Sequence, residues 1–342
     1  MADFKLNLSL GVFLHPKIEL SNKRFSIYIG ERMRYMKKYY VSDYWNKGIK
    51  GHLNYAFVDV VVNDDNLLFI DPILLETARD RWCQGANATV QSFFNEFYEA
   101  YRTKDQVKKE ELLSHAGEQN GTRLGYGRGD NGKGNTKQGL LNIFSPLDSL
   151  LQDISTIKKA EDLAVLIPDF AEDGLSDLLT NVLHDQLNQF TSEQMKKYGI
   201  ESNSLLSFWT WDKENFCWKE IERPSYCING KELLVVPKHI VRKKYLFSTS
   251  QYFNRIILER IREDGGYMND GKPIPKREIV KAKCYSGEHW QYDEAVSYTK
   301  KDNDALNEYH HKLPVFYAEY GHSLEDEELD EFVYGYPISQ TA

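Results

Sequence analysis

The stretch "IPDFAEDGLSDLLTNVLHDQL" concentrates more chemistry-bearing side chains than any other part of the sequence. Asp177, Asn181, His184, Asp185 and Asn188 fall on the polar face of an expected helix, opposite the leucines, while Asp169 and Asp173 precede that helix. Paired carboxylates of this kind hold a divalent metal or orient a water, and Asp173 and Asp177 are the candidate catalytic residues. A structural alternative explains the same letters. Asp173 or Ser176 caps the helix, Asp177 complements its dipole, and the remaining polar residues face solvent.

Phosphate-binding candidates surround this pair in the sequence. "GYGRGDNGKGNT", residues 125 to 136, sets Arg128 and Lys133 among glycines, and Gly127 to Lys133 satisfies all but the last position of G-x-x-x-x-G-K-[ST]. A nucleotide loop also needs a strand before it and a hydroxyl for magnesium. Here the preceding "SHAGEQNGTRL" is polar, Gly134 takes the place of the hydroxyl, and Thr136 is displaced by two. "LAVLIPD" imitates a magnesium-binding strand, but Pro168 suits a central strand poorly. ATP or GTP hydrolysis is therefore not the expectation. A phosphate clamp for nucleic acid, using Arg123, Arg128, Lys133 and Lys137, stays open beside a plain Gly-rich loop.

A second basic region runs from Lys23 to Lys50, where Arg32, Arg34, Lys37 and Lys38 are interleaved with tyrosines. That mixture suits a phosphate backbone and stacked bases, and equally suits a basic helix facing water or an acidic protein. Lys238 and Arg242 of "KELLVVPKHIVR" complete the candidate nucleic-acid or phosphate-binding set. Other chemistries lack their signatures. The nuclease pattern [DE]-x-K occurs only at Asp3 and at Asp270, in positions unsuited to a sheet, and H-E-x-x-H and G-x-S-x-G are absent. Metal ligands are not assigned, and a divalent metal is implied only if the acidic pair is enzymatic.

The elements that must carry these residues follow from periodicity. Alternation in "KLNLSLGVF" and "RFSIYIG", with "HLNYAFVDVVVN" and "LLFIDP", predicts a β-rich start. "NATVQSFFNEFYEAYR" carries Val90, Phe93, Phe94, Phe97, Tyr98 and Tyr101 at helical spacing. Periodicity is lost between Gly117 and Gly139, the expected boundary. Helices resume through "LLNIFSPLDSLLQDI", "KKAEDLAVLIPDF" and "GLSDLLTNVLHDQLNQFTSEQMKKYG", and strands "NFCWKEIE" and "KELLVVPK" precede the helix "SQYFNRIILERIRE". The expected class is α+β: a β-rich N-terminal lobe over 1–116, a Gly-rich loop over 117–139, and a mixed C-terminal lobe over 140–342 whose first part is mainly helical.

With 342 residues, 41% hydrophobic and 27% charged, the chain has the makeup of a folded globular protein. Its formal charge of −8 argues against coating nucleic acid by bulk electrostatics, so basic patches matter locally. The acidic run from Glu319 to Glu331 reads as a solvated tail. Cys83, Cys217, Cys227 and Cys284 show no C-x-x-C spacing and no histidine at zinc-finger distance, which suggests buried, reduced thiols. No secretory signal or apolar span of membrane length is visible, so a cytoplasmic location without membrane contact is expected.

Taken together, "LLFIDPILLE", "LGYGRGDNGKGN", "DGLSDLLTNVLHDQLNQFT", "KELLVVPKHIVR" and "KLPVFYAEY" resemble a group of bacterial proteins found beside anti-phage defence genes. In that group the middle segment tends to read aspartate, aliphatic, Ser-Asp, matching Asp173, Leu175, Ser176 and Asp177. The resemblance implies a component of an antiviral system and supplies no mechanism. Two functions follow as expectations. One is an effector acting on nucleic acid in complex with a protein partner encoded nearby. The other is a non-enzymatic sensor or adaptor that docks a partner ATPase or nuclease.

Overall fold

A computed structural model describes residues 37–126, 136–168, 170, 172–265, 267–269 and 271–336. The chain divides into two compact units, Met1–Lys38 and Tyr39–Ala342. Of the first, Lys37 and Lys38 are described and both are exposed. The strands expected in "KLNLSLGVF" and "RFSIYIG", and residues Arg32, Arg34, Arg128, Lys133 and Asp169, lie outside the described residues. The division expected at 117–139 falls inside the second unit, because the segments on either side of the Gly-rich stretch pack into one core.

The class is α+β, with helices dominant and the sheets small. In chain order, α1 (Val41–Trp45) leads to the two-residue strand β1 (Phe69–Ile70), α2 (Pro72–Thr77), the long α3 (Arg81–Arg102) and α4 (Gln106–Leu112). After the Gly-rich stretch come α5 (Lys137–Ile143), α6 (Leu147–Asp153), α7 (Glu161–Leu166), α8 (Glu172–Val182) and α9 (His184–Lys197). The antiparallel hairpin β2 (Ser204–Asp212) and β3 (Cys217–Ser225) follows, paired from Ser204↔Ser225 to Asp212↔Cys217. Strands β4 (Cys227–Ile228) and β5 (Lys231–Glu232) form a short ladder, and β6 (Val241–Arg242) pairs antiparallel with β1. The C-terminal part is helical: α10 (Thr249–Tyr252) runs through a π turn at Phe253–Ile257 into α11 (Leu258–Asp264). The small ladder of β7 (Met268–Asn269) with β8 (Lys272–Pro273), and then α12 (Lys276–Lys283), α13 (Trp290–Lys301), α14 (Asp304–Tyr320) and α15 (Asp326–Tyr334), complete the described chain.

Helix α3 is the axis of the core. Asp80 caps it by accepting from Cys83 N–H, and the six apolar residues read from the sequence are all buried. Phe97 alone makes ring contacts with Phe93, Phe94, Tyr98, Tyr101 and Phe144. Truncating such a side chain to alanine costs about 3–5 kcal/mol. The helix packs on α2, α4 and α6, which fixes Asp80 and Cys83 at one end of the core.

Several expectations change on contact with tertiary structure. "HLNYAFVDVVVN" opens as a turn of 3-10 helix at His52–Asn54 and continues as extended chain held by isolated bridges. "LAVLIPD" lies largely in helix α7, so no magnesium-binding strand exists there. The long helix predicted from Gly174 to Gly199 is two helices that meet at Leu183, where φ is −96° and ψ is 12°. The acidic run at the C-terminal end is solvated on one face only: Glu325, Glu327, Glu328 and Glu331 are exposed, but the run forms most of α15, which buries Leu329, Asp330, Val333 and Tyr334.

Candidate functional site

Asp173 and Asp177 lie within α8, in its first and second turns, so neither precedes the helix as a cap. Ser176 does not cap it either, because its Oγ accepts from Ile70 N–H of β1 at 3.1 Å and docks α8 on that strand. The polar face is not solvated. Asp177 is 8% exposed, and His184 and Asn188 are also buried. The hairpin β2–β3 and strand β5 cover that face: His184 Nε2 meets Glu232 Oε2 of β5 at 2.8 Å and its ring stacks on Phe208 of β2. Asp185 pairs with Arg223, and Asn188 Nδ2 donates to Ser225 Oγ. Leucines on one side and the strands on the other enclose the middle of this region, while Asp173 and Asn181 stay half-buried and Gln189 is exposed.

A knot of backbone bonds brings the beginning of the Gly-rich stretch to the acidic pair. Asn66 N–H donates to Arg123 O, and Gly125 N–H returns to Asn66 O, each at 2.9 Å. Arg123 Nε donates to Val62 O, and its Nη1 to the carbonyls of Asn120 and Gly121. Arg123 is therefore a buried pin that fixes the loop, not an arm of a phosphate clamp. From this anchor Tyr126 N–H reaches Asp173 Oδ1 at 3.1 Å. Gly125 sits at φ +123°, and a Cβ there would lie 2.5 Å from the same oxygen, so only glycine admits this approach. Downstream, Thr136 Oγ1 accepts from Gly139 N–H and caps α5, the structural use of the hydroxyl displaced from the nucleotide-loop position.

Electrostatics separate the two carboxyls. Burial pushes Asp177 up to about 8, and the negative charges of Asp173, Glu118 and Asp65 add to the rise against a bond from Gln119 N–H. Asp173 is also raised, first by burial, while Tyr126 N–H favours its charged form. At neutral pH Asp177 thus keeps its proton beside Asp173. One residue away, Glu172 lines a cleft of about 350 Å³ together with Phe170, Tyr245, Phe247, Trp290 and Tyr292. Tyr245 Oη ties that wall to β1 and to the first residue of α8 by donating to Ile70 O at 2.7 Å and approaching Glu172 O at 3.2 Å.

The basic candidates are distributed differently. Lys238 Nζ bonds His52 O and Asp326 Oδ1, joining the domain's first turn to α15. Arg242 Nη1 donates to the carbonyls of Gly321 and His322 and lies over the Tyr317 ring. Both hold the C-terminal helices in place, and neither is brought to Asp173 and Asp177. Lys37 and Lys38 are exposed at the start of the described chain.

One cluster was not anticipated. Cys83 Sγ lies 3.2 Å from His239 Nε2, and that nitrogen lies 3.1 Å from Asp80 Oδ2. The partners are separated by 156 residues, which no spacing rule bridges. Burial and the neighbouring Asp80 push the Cys83 thiol well up. The expectation that all four thiols are buried also fails, since Cys284 is exposed. Two further histidine–carboxylate pairs, His52 with Asp330 and His310 with Asp162, each at 2.6 Å, are enclosed by packing. Among the described residues no helix is long and apolar enough to cross a membrane.

No curated protein and no solved structure matches the chain. A family match covers residues 48–248, a span that contains the acidic pair, the Gly-rich stretch and the Asp80, Cys83 and His239 cluster. Since that span is more than half of the sequence, the chain belongs to the family described as a domain of unknown function (DUF8370).

Proposed function

We propose that the protein acts on nucleic acid as an effector of a bacterial antiviral system, with Asp173 and Asp177 as its polar centre. The defence setting rests on the resemblance of the quoted segments. The chemistry is supported by one observation: Asp173 and the protonated Asp177 share one face of α8 where the Gly-rich stretch begins, and their neighbour Glu172 lines an open cleft. In a phosphodiester hydrolysis, Asp173 accepts a proton from the attacking water and Asp177 gives one to the departing oxygen. Arg128 and Lys133 supply positive charge for the phosphate. A divalent cation at the pair would serve the same displacement by activating the water.

The test uses the full chain with labelled single- and double-stranded DNA and RNA, with and without magnesium or manganese. Binding that weakens with salt, together with cleavage lost in Asp173→Asn and Asp177→Asn assayed well below their melting temperatures, is the expected result. Arg128→Glu with Lys133→Glu should weaken binding and flatten its salt dependence. Absence of binding to all four substrates at low salt overturns the proposal and favours the adaptor reading.

A further inference from the structure

We propose that Asp80, Cys83 and His239 form a binding site for a transition-metal ion, with zinc the best match to the donor set. The three residues arrive from two rigid elements. Asp80 and Cys83 occupy the N-cap and third positions of α3, so both side chains stand at the same helix end. His239 sits in the 3-10 turn Lys238–Ile240, which is fixed by Lys238 N–H on Ala56 O and by Asp71 N–H on Ile240 O. Sγ, Nε2 and a carboxylate oxygen all lie within 4.8 Å of one another.

Two features go beyond proximity. Both the thiol and the carboxylate approach the same ring nitrogen, at 3.2 and 3.1 Å. The thiol also bonds the Asp80 carboxylate, so the three potential ligand atoms converge on one another. A cation between them would be held by all three. The separations are also close to those a tetrahedral zinc imposes, about 3.3–3.8 Å between ligand atoms for bonds of 2.0–2.3 Å.

The surroundings complete the reading. Asp80 Oδ1 accepts from Cys83 N–H at 3.0 Å, which orients the carboxylate and leaves Oδ2 for the metal. The side chains of His239 and Asp80 are 43% and 45% exposed, so the fourth coordination position opens to solvent. Three protein ligands and an open position are the pattern of zinc that handles a water or substrate. A thiolate ligand favours zinc, cobalt or copper over magnesium and calcium. The site shares no residue with the acidic pair, so it stands or falls independently of the nucleic-acid reading.

Cobalt titration of the chelator-treated full-length protein tests this directly. The expected result is one equivalent of cobalt giving a near-ultraviolet thiolate charge-transfer band and visible bands of a four-coordinate ion, all displaced by zinc. Cys83→Ser should abolish the charge-transfer band. His239→Ala, at a half-exposed position, and Asp80→Asn, which keeps a helix-capping side chain, should each weaken cobalt binding by more than about tenfold in folded protein. Cys284→Ser should change nothing. No band in the parent protein overturns the proposal, as does an unchanged titration in His239→Ala or a band lost only when Cys217, Cys227 or Cys284 is replaced.

Discussion

Replacing Asp177 by asparagine removes a titration while keeping shape. In the folded protein this carboxyl holds its proton up to about 8, against an ordinary value of 3.8. Between those limits the unfolded chain has released a proton that the folded chain keeps, so stability is fully present below the unfolded value and falls as pH rises through the window. The group is 8% exposed, so solvent screens the effect little. A single proton gives a slope of at most about 1.4 kcal/mol per pH unit, or about 2 kcal/mol between about pH 5.5 and about pH 7. Asp173, Glu118, Asp65 and Tyr245, the titratable groups that face Asp177, remain in the variant. Subtracting its urea-unfolding free energy from that of the parent at each pH therefore isolates Asp177. The variant should gain on the parent steadily as pH rises and overtake it at the alkaline end. A surface carboxylate that merely complements the helix dipole would behave differently: its loss costs about 0.3–1 kcal/mol at every pH where it is ionised. A pH-independent difference of that size, with the parent always more stable, would refute the buried-acid assignment.

Gly125→Ala should destabilise the fold by about 1–3 kcal/mol, because the left-handed backbone and the close approach to Asp173 both exclude a Cβ. A compensating Asp173→Ala on the same chain should recover part of that loss in thermal melts, and no recovery would mean that the carboxylate is not the obstacle. At the other end of the unit, Asp330→Ala leaves buried His52 without its partner and should cost about 1–3 kcal/mol in urea unfolding. Asp326→Ala, which breaks the more exposed pair with Lys238, should cost less than about 1 kcal/mol, and equal losses would contradict the burial difference.

What the sequence disclosed tracks closely with how local the determinants are. The aromatic face of α3 was readable because Phe93, Phe97 and Tyr101 repeat at the helical period and their burial follows from that period alone. Asp177 was placed on the polar face of α8 for the same reason, whereas Asp173, expected ahead of the helix, lies in its first turn. Their environment was not, since Asn181 bonds Gly117 O from earlier in the chain while Glu232 of β5 and Ser225 of β3 come back over His184 and Asn188. Charge told half the story at the C-terminal end: Glu325, Glu327, Glu328 and Glu331 of "LEDEELDEF" do face solvent, yet Leu329 and Val333 recur four apart and turn the other face of α15 inward. Arg123, Lys238 and Arg242 looked like phosphate ligands by type, but their donors meet backbone carbonyls that no composition argument can foresee. Cys83 and His239 carried no mutual signal because their meeting depends on the whole core assembling between them.

The contacts of α15 also bear on the order in which this unit becomes complete. His52 is enclosed by Asp330, and Asp59 by Tyr334, residues 278 and 275 positions further along the chain. At translation rates of roughly 5–20 residues per second, the partners of His52 are made about 14–56 seconds after it. Throughout that interval the nascent chain holds an imidazole, a carboxylate and the edge of an aromatic cluster without their cover. Closure by the last helix is thus a late, long-range step of the kind that slows folding, and it makes the half-made chain a natural client for a chaperone until residue 334 has left the ribosome.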